Sequence, residues 1–180
     1  MDAAELHPQT AENKFAATDV LEILRERNWL GVDPIPEQTA WCERAAALLG
    51  PKSPDRAALE NLLSLVFHYN AREVLAGMDA HLVLSRYAAR DVLRKLANLL
   101  LEPAPLTTER FNEIVEALKS ELDIRGREIF HPLRLALAGR SGDGELDRVV
   151  LLLDDAAAAN FSAPAKSART RIIEFCSALD

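Results

Sequence analysis

Residues 126–147 read GREIFHPLRLALAGRSGDGELD, and the rest of the chain is best understood outward from them. Pro132 fits the first position of a helix, where its missing N–H costs nothing. Ile129, Phe130, Leu133, Ala136 and Leu137 fall on one face at helical spacing. Gly139 reads as a left-handed stop. Arg134 falls off the apolar stripe and is expected to point outward. The polar loop Arg140-Ser141-Gly142-Asp143-Gly144 follows at once. A short helix presenting an arginine beside a glycine-rich loop suits a recognition surface, and equally an ordinary helical hairpin.

The flanking sequence repeats the helical pattern. Thr18 is placed to cap a helix running to about Arg27. Pro36 opens a second helix, with Trp41, Ala45, Leu48 and Leu49 inward and Gly50 as its stop. Ser53-Pro54-Asp55 combines a capping serine, a first-position proline and a first-turn acid. Leu59, Leu62, Leu63, Val66 and Phe67 then follow at three- and four-residue steps. Residues 80–101 read as the longest helix, burying Ala89, Val92, Leu93, Leu96, Leu99 and Leu100. Pro103 and Pro105 break the chain. Thr107 or Thr108 caps a helix carrying Phe111, Ile114, Val115, Leu118 and Leu122. The last helix, about 165–178, is expected to bury Ala168, Ile172, Ile173 and Cys176. No alternating strand pattern and no repeat at a fixed period occurs. The expected fold class is all-α, a multi-helix bundle or cage. Residues 1–15 lack periodicity and read as a disordered lead-in. A boundary in the 70s would divide an N-terminal helical subdomain (16–77) from a C-terminal one (78–180).

Composition bounds the function. The chain has 180 residues, a formal net charge of −7 and a pI near 5.2. Residues 1–60 hold 11 acids against 6 bases, so the acidity is concentrated there. That excludes bulk, non-specific nucleic-acid binding but leaves room for a locally basic face. Cys42 and Cys176 lie far apart among apolar neighbours, as small core residues in a reducing compartment do. No stretch approaches the ~20 apolar residues of a membrane span. The acidic, polar start is unlike a signal peptide, so a cytoplasmic location is expected.

The chain carries no glycine-rich nucleotide fingerprint, no Walker motif, no HExxH and no CxxC, so no catalytic residue and no cofactor are expected. His7, His68, His131 and His81 are isolated, without a second His or Cys at ligand spacing, and no metal is expected. The RSGDG loop is compatible with an anion-binding turn or a plain interhelical loop. Arg86, Arg90 and Arg94 recur every four residues and would form one ridge. That ridge fits a solvated face paired with Asp91 and nearby glutamates, or a contact for a phosphate backbone.

The string GREIFHPLRLALAGRSGDGELDRVVLLLD resembles the anticodon-binding region near the C-terminus of bacterial glutamyl-tRNA synthetases. The matching positions are Gly126, Phe130, Pro132, Leu133, Arg134, Ala136, Leu137, Gly139, Glu145 and Leu146. The preceding TTERFNEIVEALKSELDIRG is similar to the family's helix before that motif, and EQTAWCERAAALL resembles its first anticodon-binding subdomain more loosely. Ala138 stands where the family has threonine, and Asp143-Gly144 where it often has other small or polar residues or proline. The ligase's His-x-Gly-His and Lys-Met-Ser-Lys-Ser type signatures are absent. The resemblance implies an all-helical cage that reads the anticodon loop of a tRNA. It places Arg134, Asp143, Gly144 and Leu146 near anticodon bases, where an arginine can bond or stack on an unstacked base. The ridge of Arg86, Arg90 and Arg94 would hold the backbone. Three readings remain open: a non-catalytic tRNA-binding module, a protein-interaction domain that kept the fold, or the C-terminal part of a split glutamate-tRNA ligase.

Overall fold

The computed structural model describes residues 12–180. Residues 1–11, most of the expected lead-in and with it His7, lie outside the described residues. Among the described residues all regular structure is helical. The helices are α1 (Ala17–Glu26), α2 (Pro36–Leu49), α3 (Arg56–Phe67), α4 (Ala71–Ala76), α5 (Met78–Leu84) and α6 (Ala89–Leu100). They continue with α7 (Thr108–Leu122), α8 (Arg127–Ala138), α9 (Glu145–Val150), α10 (Leu153–Ala158) and α11 (Ala168–Leu179). None of them is long and apolar enough to cross a membrane.

The hub is α8, the helix of the GREIF segment. It packs against α4, α5, α6, α7, α9 and α11. Its last turn has no solvent face, since Leu135, Ala136, Leu137 and Ala138 are all buried. A helix apolar all round is stable only inside a core, and the other helices wrap it accordingly. One cluster of buried apolar side chains runs from Val20 to Phe175 and continues across position 77. An aromatic group anchors the α2–α3 side. Trp29 stacks on Phe67 at 5.0 Å, and Trp41 and Phe161 meet Phe67 edge-on at 5.5 and 5.2 Å. The indole N–H of Trp41 donates to the Leu152 carbonyl at 3.0 Å, which ties α2 to the start of α10. Cys42 is buried and Cys176 half-buried, both as free thiols. Burial pushes the Cys42 thiol up to about 12, away from reactive thiolate.

Several expected boundaries shift for physical reasons. Pro132 does not open α8 but lies inside it, so the Glu128 carbonyl loses its usual N–H partner. The helix begins five residues earlier, after Gly126. The expected helix over 80–101 is two, broken at 85–88. A continuous helix extending the buried Ala80–Val83 face would carry Arg86, Tyr87 and Arg90 toward the core. The break re-registers the chain so that Ala89, Val92, Leu93, Leu96 and Leu100 go inward instead. The cap of α3 is Asp55, whose carboxylate accepts from the Ala58 N–H at 2.8 Å. Ser53 turns back and donates to the Leu49 carbonyl at 2.8 Å, closing α2. Thr18 lies within α1, and Asp19 accepts from the Ala16 N–H there. Gly50 keeps right-handed backbone and leads into a 3-10 turn, Gly50–Lys52.

The face of α11 is also rotated from expectation. Ile173 is exposed, and Arg171 is buried together with Ala168, Ile172 and Phe175. Arg171 has no accessible surface and no carboxylate partner among the described residues. Its Nε donates to the Lys166 carbonyl, Nη1 to those of Leu65 and Leu137, and Nη2 to that of Val66. The guanidinium lies over the Tyr69 ring at 4.6 Å, and the Tyr69 hydroxyl donates to the Ala136 carbonyl at 2.6 Å. The carbonyls of Leu65, Val66 and Leu137 are orphan acceptors in the last turns of α3 and α8, where helix dipoles leave partial negative charge. One cation thus caps two helices. Burial pulls the Arg171 pKa down to about 10, so it stays charged at neutral pH. Arg171→Met is therefore expected to cost about 3 kcal/mol or more of unfolding free energy in urea titration, because buried carbonyls lose their donors. Tyr69→Phe is expected to cost about 1 kcal/mol by the same measurement.

Candidate nucleic-acid interface

Two glycines frame α8 and set where its flanking loop starts. Gly126 has φ +56° and ψ −126°, a conformation open essentially to glycine. Gly139 has φ +83° and ψ 4°, and its N–H donates to the Leu135 carbonyl at 3.0 Å. The left-handed stop expected at Gly139 is present, and it turns the chain into the loop before α9.

Arg134 does not point outward. Its side chain is 11% exposed and forms a paired bridge to Asp147 on α9, Nε to Oδ1 at 2.7 Å and Nη2 to Oδ2 at 2.8 Å. Its Nη1 donates to the Gly142 carbonyl at 2.5 Å. The guanidinium also lies 4.7 Å from the centre of the Phe130 ring, one turn earlier on α8. The planar fork of arginine matches a carboxylate edge-on, so the bridge fixes an angle as well as a distance. Arg134 therefore clasps both ends of the loop: its tip through Gly142 and the following helix through Asp147.

The loop that it holds presents Asp143 and Gly144 to solvent. Leu146, which the family resemblance also implies to lie near bases, is 4% exposed and packs beneath the loop as core. The Asp143 carbonyl accepts from the Leu146 N–H at 3.1 Å and begins α9. From the other side, the Ser141 N–H donates to Asp79 of α5 at 3.3 Å. The loop is thus pinned to α5, α8 and α9.

The three arginines of the expected ridge do not share one helix. Arg86 lies in the α5–α6 turn, while Arg90 and Arg94 lie on α6. All three are exposed. Arg94 makes a loose contact with Asp91 at 3.7 Å. Arg90 and Arg94 line a shallow hollow with Leu93, Cys176, Leu179 and Asp180. Arg86 joins the α8 side, its Nη1 2.7 Å from His131 Nδ1. Arginine can only donate, so this ring nitrogen must accept and the imidazole is neutral there. His131 is held below its ordinary value by partial burial first, then by Arg86, Arg127 and Arg134, with Asp143 opposing. Those five groups therefore form one electrostatic neighbourhood, and Arg86 connects through His131 to the helix that carries Arg134. Asp147 and Arg127 carry no signal in the sequence pattern, and His131 reads there only as an isolated histidine. The four-residue step from Phe130 to Arg134 was the one legible hint of the stack. Among the described residues no group of three His, Cys, Asp or Glu is placed to hold a metal ion.

A family model described as an anticodon binding domain matches residues 21–155. The chain belongs to this anticodon-binding domain family. The match runs from within α1 through α2 to α9 and ends within α10, and it includes the clasped loop. Among curated proteins, the chain is 31% identical over 105 residues to a glutamate–tRNA ligase of Carboxydothermus hydrogenoformans, covering 58% of the chain and 20% of that protein. It is 26% identical over 125 residues to glutamate–tRNA ligase 2 of Syntrophus aciditrophicus, covering 69% of the chain and 25% of that protein. Over 145 residues it is 26% identical to a glutamate–tRNA ligase of Exiguobacterium sibiricum, covering 81% of the chain and 29% of that protein. The chain thus spans between a fifth and a third of the length of these relatives. No solved structure matches.

Two outcomes follow from the geometry. Arg134→Lys keeps the charge but loses the fork, and is expected to cost about 1–2 kcal/mol. Hydrogen exchange at the Ser141 and Leu146 amides, which donate to Asp79 and to the Asp143 carbonyl, should accelerate with it. Arg86→Met removes a cation beside His131, so the imidazole pKa should move up toward its ordinary value in an NMR titration. An unchanged titration would mean that Arg86 spends its time elsewhere.

Proposed function

We propose that this chain is a non-catalytic tRNA-binding module that engages the anticodon loop. The observation that carries the reading is the clasped α8–loop–α9 unit, set inside an anticodon-binding domain and flanked by arginines. The relatives are glutamate–tRNA ligases, and this makes a glutamate-accepting tRNA the first ligand to test. Single-stranded loops are the usual place for base readout in RNA, because their bases can be splayed out and bonded at their edges. In this reading the exposed Asp143-Gly144 turn meets a base, and Asp143 accepts from a base amino group. Leu146 supports the turn from below. Arg134 acts through the shape of the loop, since its donors are already engaged with Asp147 and Gly142. Arg86, Arg90 and Arg94 take the phosphate backbone, a sequence-independent contact that releases counterions. No step of catalysis is assigned to these residues.

The test is fluorescence anisotropy with labelled tRNA over a salt series. Binding should be micromolar or tighter at low salt and fall steeply as salt rises. The double variant Arg90→Ala, Arg94→Ala should weaken binding and flatten the log–log salt slope by about two, roughly one per lost phosphate contact. Absence of binding at low salt would remove this reading.

A further inference from the structure

The α5–α6 turn holds a feature that the clasped loop leaves unexplained. Tyr87 is fully exposed, at 100%. The chain's other tyrosine, Tyr69, is buried, hydrogen-bonded and stacked on Arg171. An aromatic ring left in water forgoes the ~1.5–3 kcal/mol that burial of so large a side chain supplies. Its neighbours are a cation on each side: Arg86 immediately before it and Arg90 three residues on, both exposed. Neither has a carboxylate within ion-pair distance among the described residues. An exposed aromatic between arginines is the arrangement that takes the face of an unstacked base and the phosphates beside it.

The turn is also tied to the clasped loop by direct bonds. Arg86 is bonded to His131 on α8, three residues before Arg134, which in turn holds Gly142. Asp79 on α5 accepts from Ser141 at the start of the same loop. The turn and the loop are therefore supported by the same two helices, α5 and α8.

We propose that the α5–α6 turn is a second nucleotide contact, in which the Tyr87 ring stacks on an unstacked RNA base and Arg86, oriented by His131, takes the adjoining phosphate. This rests on the tRNA-binding reading, keeps its role for Arg86, and adds Tyr87 and His131 to it. Tyr87 supplies a π-face and no sequence preference, whereas Asp143-Gly144 supplies an edge. His131 is a positioning residue, acting through Arg86. The occupant is a single-stranded nucleotide rather than a paired stem, because a paired base has both faces covered.

The experiment compares two probes on the full chain: a labelled 17-nucleotide anticodon stem-loop RNA, and a blunt RNA duplex of 12 base pairs. Stacking on an aromatic is worth about 1–3 kcal/mol per base, which converts to a loss of roughly fivefold or more. Tyr87→Ala should therefore weaken stem-loop binding about tenfold, leave duplex binding within twofold, and leave the salt slope unchanged. Tyr87→Phe should bind as wild type. Arg86→Ala should weaken binding and lower the salt slope by about one. Circular dichroism of each variant should be unchanged, since both side chains are exposed. If Tyr87→Ala binds the stem-loop within twofold of wild type, or loses both probes equally, the stacking contact is overturned and the tRNA-binding reading stands. If the wild-type chain binds neither probe nor tRNA, both fall together.

Discussion

The fold turns on one buried cation. Arg171 sends its N–H groups to the carbonyls of Leu65, Val66, Leu137 and Lys166, with Tyr69 against its flat face. Burying an unpaired charge is ordinarily prohibitive. It is tolerable here because the acceptors would otherwise be worse off. The last carbonyls of α3 and α8 end inside the core, without water, and each needs a donor. A single planar group satisfies them together, and α11 is the helix that delivers it. The match to the anticodon-binding family ends at residue 155, before α11, so this keystone comes from sequence outside the family's matched span.

The consequence reaches the candidate interface. Arg171 and Tyr69 hold the Leu137 and Ala136 carbonyls, in the last turn of α8. Gly139 follows immediately, and the loop's exit direction is set from there. Arg134, one turn back on the same helix, then fixes the far end of that loop. Two arginines thus do related work at different depths. The deeper one is wholly surrounded by backbone acceptors and determines where α8 ends. The shallower one has a carboxylate and one carbonyl, and determines how the loop lies. The difference follows from burial: a fully enclosed cation needs every donor satisfied, while a partly exposed one can leave some donors to water.

Much of this was legible in the sequence, in proportion to how local the signal was. Helical periodicity gave the all-α class and most of the helices. The stop at Gly139 and the start at Pro36 came from single residues with restricted backbones. The misreadings were tertiary. Pro132 reads as a start because a proline inside a helix is costly, yet it is buried within α8, where packing outweighs one lost bond. The ridge of Arg86, Arg90 and Arg94 was drawn on a helix that the core breaks at 85–88. Arg134 was read as outward because its partner, Asp147, lies 13 residues away across a loop. Arg171 was invisible for the same reason: a cation in an amphipathic pattern reads as surface unless the carbonyls that will receive it are known.

The acidic total and the arginine-flanked site are compatible once range is considered. The net charge of −7 belongs largely to the first 60 residues. Several of the acids there are already engaged: Glu22 and Glu26 with Arg56, and Glu60 with Arg27. By contrast Arg86, Arg90, Arg125, Arg127 and Arg140 meet no carboxylate within ion-pair distance among the described residues. At physiological salt a charge is screened within about 8 Å. A polyanion at a distance therefore meets little attraction, and one that has already docked meets local arginines rather than the total. Such a surface disfavours indiscriminate adhesion to nucleic acid while keeping close, shape-dependent contacts. For the tRNA-binding module proposed above, that division of charge favours selectivity. Arg134, neutralised by Asp147, fixes the shape of the loop, and the exposed positive charge is left to the arginines around it.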